Sequence, residues 1–73
     1  MTLFTKPGCG LCDRAKSALE RAGLEVRLIN ILEDDAAFKL YQYEIPVLVD
    51  DDGRELMKGV FTEARLASIV ARG

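Results

Sequence analysis

The first thirty residues change from a strand pattern to a helix pattern and back. Thr2-Leu3-Phe4-Thr5 is short and rich in β-branched and aromatic residues, which is typical of a β-strand. From Leu11 onward, apolar side chains recur at spacings of three and four, which predicts a helix that ends at Gly23. The apolar face of this helix contains Cys12, Ala15, Ala18, Leu19 and Ala22. Glu25 to Asn30 predicts a second strand, parallel to the first and joined to it by a right-handed crossover.

The middle of the chain predicts a short helix followed by a β-hairpin. Asp34 or Asp35 can cap a helix over residues 36–41, because Asp is favoured at helix N-caps. The apolar positions of this helix are Ala37, Phe38, Leu40 and Tyr41. Val47 to Val49 and Glu55 to Lys58 predict the two strands of the hairpin. Asp50 to Gly53 connects them as a solvated turn, because the spaced oxygen ligands of a calcium loop are absent.

The last segment predicts a third helix and completes a recognisable order of elements. Thr62 is a suitable N-cap for this helix. Its apolar content is Ala64, Leu66, Ala67, Ile69 and Val70. The predicted order is β-α-β-α-β-β-α, which fits an α/β fold with a four-stranded mixed sheet and helices on both faces. With 73 residues, the chain is expected to form a single domain over residues 1–73.

Composition and charge exclude several classes of function. The net charge of −2, from 10 basic and 12 acidic residues, argues against a nucleic-acid partner, which would require a basic stripe. No apolar run approaches the ~20 residues that cross a bilayer, so no membrane association is expected. After Met1 the chain enters a strand with no basic segment leading into an apolar run, so we expect a cytoplasmic location.

The two cysteines of the chain lie in Cys9-Gly10-Leu11-Cys12, directly after a Pro-Gly turn and at the start of the first predicted helix. This spacing closes a small ring when the thiols are oxidised, and it places the first sulfur at the helix N-terminus, where a thiolate is stabilised. Cys9 is therefore the expected nucleophile. Cys12 lies on the inward face of the helix and is the expected resolving thiol, which displaces the substrate from Cys9.

A metal site and a purely structural pair are the alternatives for these cysteines. Structural zinc requires four ligands, and the chain has no histidine and no third cysteine. No metal ligand is therefore expected within one monomer, although a dimer could pool four thiolates around zinc or an iron–sulfur cluster. A buried structural pair is disfavoured, because Cys-x-x-Cys before a helix in a βαβ pattern is typical of redox proteins.

Three other residues near the cysteines carry alternative interpretations. Lys6 is either a solvated lysine at a strand end or a fixed positive charge beside the reactive sulfur, able to attract a carboxylate. Pro46 either begins an edge strand or is a cis proline facing Cys9, which leaves the backbone of Ile45 free to pair with a substrate chain. Asp13 is foremost a solvated residue of the first helical turn, with proton transfer to Cys12 as a secondary role.

These motifs resemble the glutaredoxins of the thioredoxin superfamily, in particular the minimal dithiol members. The resemblance rests on the run from Thr2 to Cys12, on Ile45-Pro46-Val47-Leu48-Val49 and on Gly59 ahead of the last helix. It implies a thioredoxin fold, Cys9 as nucleophile, Cys12 as resolving thiol and a cis Pro46. It also implies that Lys6, the Ile45 backbone and the segment containing Gly59, Thr62 and Glu63 contact glutathione or a substrate chain.

The sequence departs from the glutaredoxin pattern at several positions. Gly10-Leu11 replaces the usual Pro-Tyr between the cysteines, and the double glycine with its following acidic residue is only partly matched by Gly59 to Glu63. The resemblance implies a monomeric thiol–disulfide oxidoreductase without a tightly bound cofactor. Its partners would be disulfide-containing proteins and glutathione, the latter as co-substrate. The alternatives are a thioredoxin-like electron carrier reduced by a flavin reductase and a dimeric iron–sulfur cluster carrier.

Overall fold

In the computed structural model, which describes residues 1–72 and the side chains of residues 1–69, the elements follow the predicted order. The strands are β1 (Thr2–Thr5), β2 (Arg27–Asn30), β3 (Val47–Val49) and β4 (Glu55–Lys58). The α-helices are α1 (Gly10–Arg21), α2 (Asp35–Tyr41) and α3 (Glu63–Arg72). A single 3-10 turn over Ile31–Glu33, which the sequence analysis did not predict, links β2 to α2.

The strands form a four-stranded mixed sheet in the order β2-β1-β3-β4. β1 and β2 are parallel, as the βαβ pattern predicted, while β3 is antiparallel to both β1 and β4. Because of these directions, the ends of β1, β2 and β4 and the start of β3 lie at one edge of the sheet. Thr5, Asn30, Val47 and Lys58 mark this edge, which is called the active edge below.

The main core lies on the face of the sheet that α1 and α3 cover. Leu3, Leu48 and Met57 are cross-strand neighbours in successive strands and form a buried row. The helices complete this core with Ala15, Ala18, Leu19 and Leu66. On the opposite face α2 packs on the sheet, where the rings of Phe4 and Tyr41 lie 4.6 Å apart. The predicted arrangement of helices on both faces is therefore confirmed.

The short second helix differs from its predicted apolar pattern. Ala37 is buried, but Leu40 is 66% exposed and Phe38 is 37% exposed. A helix of seven residues covers little of the sheet, and α2 makes its contacts mainly through Ala37 and Tyr41. Two end positions also differ: β2 begins at Arg27 rather than at residue 25, and Ala22 is exposed because it caps the end of α1.

Two of the predicted helix caps and the acidic turn are confirmed in atomic detail. Asp34 accepts a 3.0 Å hydrogen bond from the Ala37 N–H, and Thr62 caps α3 in the same way. Asp50 Oδ1 accepts from the backbone N–H groups of residues 52 and 54, and Gly53 takes a φ of +84° that most other residues avoid. The predicted apolar role of Val70 lies outside the described side chains.

Truncating a core leucine should cost far more stability than truncating an exposed one. For Leu48→Ala we expect a loss of about 2–5 kcal/mol in the free energy of unfolding, because a fully buried side chain leaves a cavity. Leu40→Ala, the matched control at a 66% exposed site, should change it by less than about 0.5 kcal/mol. Urea unfolding of both variants measures the difference, and equal losses would contradict the assigned core.

Candidate active site

The active edge brings Cys9 to the point where β1 passes into α1. The connecting segment, Lys6 to Gly8, is exposed and turns sharply. Gly8 has a φ of +77°, a left-handed conformation that a side chain at this position would disfavour. The turn places Cys9 immediately before the first residue of the helix, with extended backbone angles (φ −95°, ψ 111°).

Cys9 is the N-cap of α1, and its sulfur performs the capping. The Sγ atom accepts a hydrogen bond from the Cys12 backbone N–H at 3.2 Å, and the Cys9 carbonyl accepts from the Asp13 N–H at 3.2 Å. Ser, Thr, Asp and Asn usually supply the capping atom at this position. The sulfur is partly exposed and lies among the N–H donors at the positive end of the helix dipole, surroundings that stabilise a thiolate.

Cys12 has a different environment from Cys9, although the two are only three residues apart. Its side chain is 3% exposed and belongs to the buried face of α1. Burial, together with the neighbouring Cys9 sulfur and the charge of Asp13, raises the pKa of the Cys12 thiol to about 11, and hydrogen bonding from the Lys6 backbone opposes this only in part. At neutral pH, Cys12 is therefore a protonated thiol behind a more accessible sulfur.

The Ile45–Pro46 peptide bond is cis, in agreement with the expectation from the sequence. Pro46 is buried, and the pairing of Phe4 with Val47 places it at the active edge. The Pro46 carbonyl accepts a 3.0 Å hydrogen bond from the Gly59 N–H, which holds Gly59 beside the proline. No other residue within 1–72 forms a hydrogen bond to the backbone of Ile45.

A second contact fastens the segment that leads to Pro46. The Lys58 ammonium at the end of β4 donates to Glu44 Oε1 at 3.1 Å. This pair raises the pKa of Lys58, chiefly through the hydrogen bond to the Glu44 carboxylate. The segment around Ile45 is thus held on both sides, by Lys58 at the end of β4 and by Gly59 directly after it.

Two of the residues expected to bind substrate have other partners. Thr62 Oγ1 accepts from the Arg65 N–H at 3.2 Å and so caps α3. The Glu63 carboxylate accepts from Arg21 Nε at 3.3 Å, which links α3 to the end of α1. The structure thus brings Lys6, Ile45, Pro46 and Gly59 to the active edge with the cysteines, while the side chains of Thr62 and Glu63 support the fold.

A cleft of about 220 Å³ opens beside Cys12, between the β1–α1 connection, α1 and the outer strand β2. Its walls include Lys6, Cys12, Asp13, Lys16, Leu28 and Asn30. The sequence analysis did not single out Lys16 or Asn30. Both were detectable in principle, because Lys16 lies one helical turn after Cys12 and Asn30 ends a strand predicted to be parallel to β1.

Residues 1–72 contain neither a candidate metal centre nor a membrane-spanning helix. Within this part of the chain, no three Cys, Asp or Glu side chains are grouped as ligands for a metal ion. Nor does it contain a helix with the length and apolar character needed to cross a membrane.

Comparison with known proteins places the fold and the cysteine pair in a family. A family model described as the glutaredoxin-like domain (DUF836) matches residues 1–71. The chain belongs to this family. The thioredoxin-superfamily resemblance is therefore confirmed, and the glutaredoxin-like fold with its adjacent Cys9 and Cys12 fits a thioredoxin-like redox role.

One solved structure and one curated protein are similar to this chain. The X-ray structure of target protein XcR50 from X. campestris is similar to this glutaredoxin-like chain with a TM-score of 0.86 and 33% identity, over 99% of this chain and 96% of that one. The Gene 56 protein of Mycobacterium phage L5 is 27% identical over 78% of this chain. The match spans 60% of the length of that phage protein.

The two cysteines should differ strongly in their reactivity toward an alkylating agent. With a pKa of about 11, Cys12 is ionised to only about 10⁻⁴ at pH 7, and its burial also blocks access. Iodoacetamide at pH 7 should therefore modify the reduced protein once, at Cys9, as peptide mapping by mass spectrometry can show. Equal labelling of both cysteines at this pH would contradict the assigned environments.

Proposed function

We propose that this protein is a dithiol thiol–disulfide oxidoreductase that reduces protein disulfides or glutathione mixed disulfides. The observation that carries the proposal is the position of Cys9, whose partly exposed sulfur caps α1 at 3.2 Å from the Cys12 backbone nitrogen, while the Cys12 thiol is buried. An accessible sulfur at a helix N-terminus, paired with a protected second thiol, is suited to disulfide exchange.

The reaction proceeds by two successive exchanges. The Cys9 thiolate attacks one sulfur of the substrate disulfide, forms a mixed disulfide and releases the other substrate sulfur, which takes up a proton. Cys12 then loses its proton and attacks Cys9 Sγ, which releases the remaining substrate thiol and leaves a Cys9–Cys12 disulfide. The substrate gains two electrons from the two cysteines and two protons, one released by Cys12 and one taken from solvent because Cys9 reacts as the thiolate.

The active edge provides a binding surface for an extended substrate chain. The unpaired N–H and carbonyl of Ile45 can bond to a peptide that lies antiparallel to this segment, a form of strand addition. Gly59 and Pro46 border the same surface, and the exposed Lys6 can attract a substrate carboxylate. Recognition through backbone groups suits a protein that reduces disulfides in more than one sequence context.

Glutathione is the proposed co-substrate that restores the reduced dithiol, and Lys6 is the residue proposed to attract one of its carboxylates. A second candidate is a thioredoxin-like carrier reduced by a flavin reductase. This alternative is favoured by the engagement of Thr62 in a helix cap and of Glu63 with Arg21, which leaves their side chains less available to glutathione. The monomeric state and the cytoplasmic location expected from the sequence remain predictions.

The equilibrium of the Cys9–Cys12 disulfide with a graded glutathione buffer separates the two candidates. A glutaredoxin should equilibrate at about −200 to −230 mV and form a glutathione adduct on Cys9. A potential near −270 mV without a stable adduct would favour the thioredoxin-like carrier. A disulfide that exchanges with neither glutathione nor dithiothreitol would refute both.

Single-cysteine variants should separate the roles of the two thiols. Cys9→Ser should abolish reduction of a protein disulfide, because the accessible nucleophile is lost. Cys12→Ser should still attack the substrate but should accumulate the mixed disulfide, which intact-mass spectrometry detects as an adduct on Cys9. If Cys12→Ser is the inactive variant and Cys9→Ser the one that traps substrate, the roles are reversed.

A further inference from the structure

The second exchange requires a route for the proton of Cys12. Its thiol is 3% exposed, and its pKa is raised to about 11 in the reduced protein. Without a proton acceptor, only a minute fraction of this thiol could attack Cys9 at neutral pH. The cleft beside Cys12 is the opening through which such a proton can leave.

The groups that line this cleft differ in their ability to accept a proton. Lys6, from the β1–α1 connection, and Lys16, from α1, present ammonium groups, which donate hydrogen bonds and have no acceptor site. Strand β2 contributes the uncharged Leu28 and Asn30. Among the lining residues, Asp13 supplies the one carboxylate, the kind of group that accepts a proton.

The geometry of α1 determines how the Cys12 thiol and the Asp13 carboxylate lie relative to each other. Successive residues of a helix point about 100° apart, so adjacent side chains such as those of Cys12 and Asp13 do not face each other directly. Both nevertheless border the same cleft. The cleft therefore connects the Cys12 thiol with the Asp13 carboxylate, which can pass a proton on to solvent because Asp13 is exposed.

We propose that the Asp13 carboxylate accepts the proton of Cys12 in the step that resolves the mixed disulfide, with Lys6 and Lys16 flanking it in the cleft. In this step the Cys12 S–H bond breaks and its proton passes to the carboxylate. The Cys12 sulfur bonds to Cys9 Sγ, and the electron pair of the broken disulfide leaves with the substrate sulfur, which takes a proton. The inference rests on the proposed function, because it assigns a role within that reaction.

A purely electrostatic role for Asp13 predicts the opposite effect of neutralising it. The negative charge of Asp13 helps to raise the pKa of Cys12, so its removal would make the thiol easier to ionise. If Asp13 were only a nearby charge, Asp13→Asn would accelerate the resolving step. If it accepts the proton, the same change slows that step.

Reaction with Ellman's disulfide resolves the two exchanges in one stopped-flow trace. Attack by Cys9 releases a first equivalent of the coloured thiolate, and attack by Cys12 on the resulting mixed disulfide releases a second. We expect Asp13→Asn to leave the first phase within about twofold of wild type and to slow the second about 100-fold at pH 7. Asp13→Glu should largely restore the second phase, and acetate or formate should accelerate it in Asp13→Ala.

Glu20→Gln is the matched control, since Glu20 is an exposed carboxylate on the same helix that does not line the cleft. It should leave both phases unchanged. The pH profile distinguishes this role from a purely structural one. In Asp13→Asn, the logarithm of the rate constant of the second phase should increase with pH at a slope of about one up to pH 9, which is steeper than in wild type.

The outcomes distinguish this inference from the proposed function. An equal or faster second phase in Asp13→Asn, with the first phase intact, overturns the role of Asp13 but leaves the dithiol reaction standing. A wild-type protein that releases only one equivalent has no resolving thiol, which overturns both.

Discussion

The hydrogen bond from the Cys12 N–H to Cys9 Sγ links the chemistry of this protein to its fold. It satisfies one of the free N–H groups at the start of α1, a task that an oxygen atom performs in most helices. The same bond fixes the sulfur at the positive end of the helix dipole. The Cys9 sulfur is therefore part of the N-cap of α1, and the same helix buries the Cys12 thiol. Formation of α1 thus sets both the accessible and the protected sulfur.

The rest of the active edge follows from strand pairing around that helix. The antiparallel register of β1 and β3 sets Pro46 at the level where β1 ends, and the hydrogen bond from Gly59 to its carbonyl brings the end of β4 to the same place. Cys9, Pro46 and Gly59 lie in separate parts of the chain. None of them needs a long side chain to reach the site, since the backbone of the sheet positions them.

Much of this arrangement was predictable from local sequence patterns, because the causes are local. The Pro-Gly turn, the spacing of apolar residues in α1, and Asp34 and Thr62 as caps each act over a few residues, and the structure confirms them. The exposure of Leu40 was not predictable in this way, since it depends on how little of the sheet a seven-residue helix covers. The pairing of Glu63 with Arg21 spans 42 residues and leaves no periodic signal. The same is true of the cleft, whose walls come from separate elements.

The two attachments of the segment around Ile45 bear on how a partner would be bound. The Glu44–Lys58 pair is exposed and by itself adds little stability, but it acts together with the backbone hydrogen bond from Gly59 to the buried Pro46. Between these points, the backbone groups of Ile45 are held in place before any partner arrives. An incoming chain then loses only its own conformational entropy, since the receiving segment is already ordered. Preorganisation of this kind strengthens the binding of a short extended chain, because little of the contact energy is spent on ordering the receiving segment.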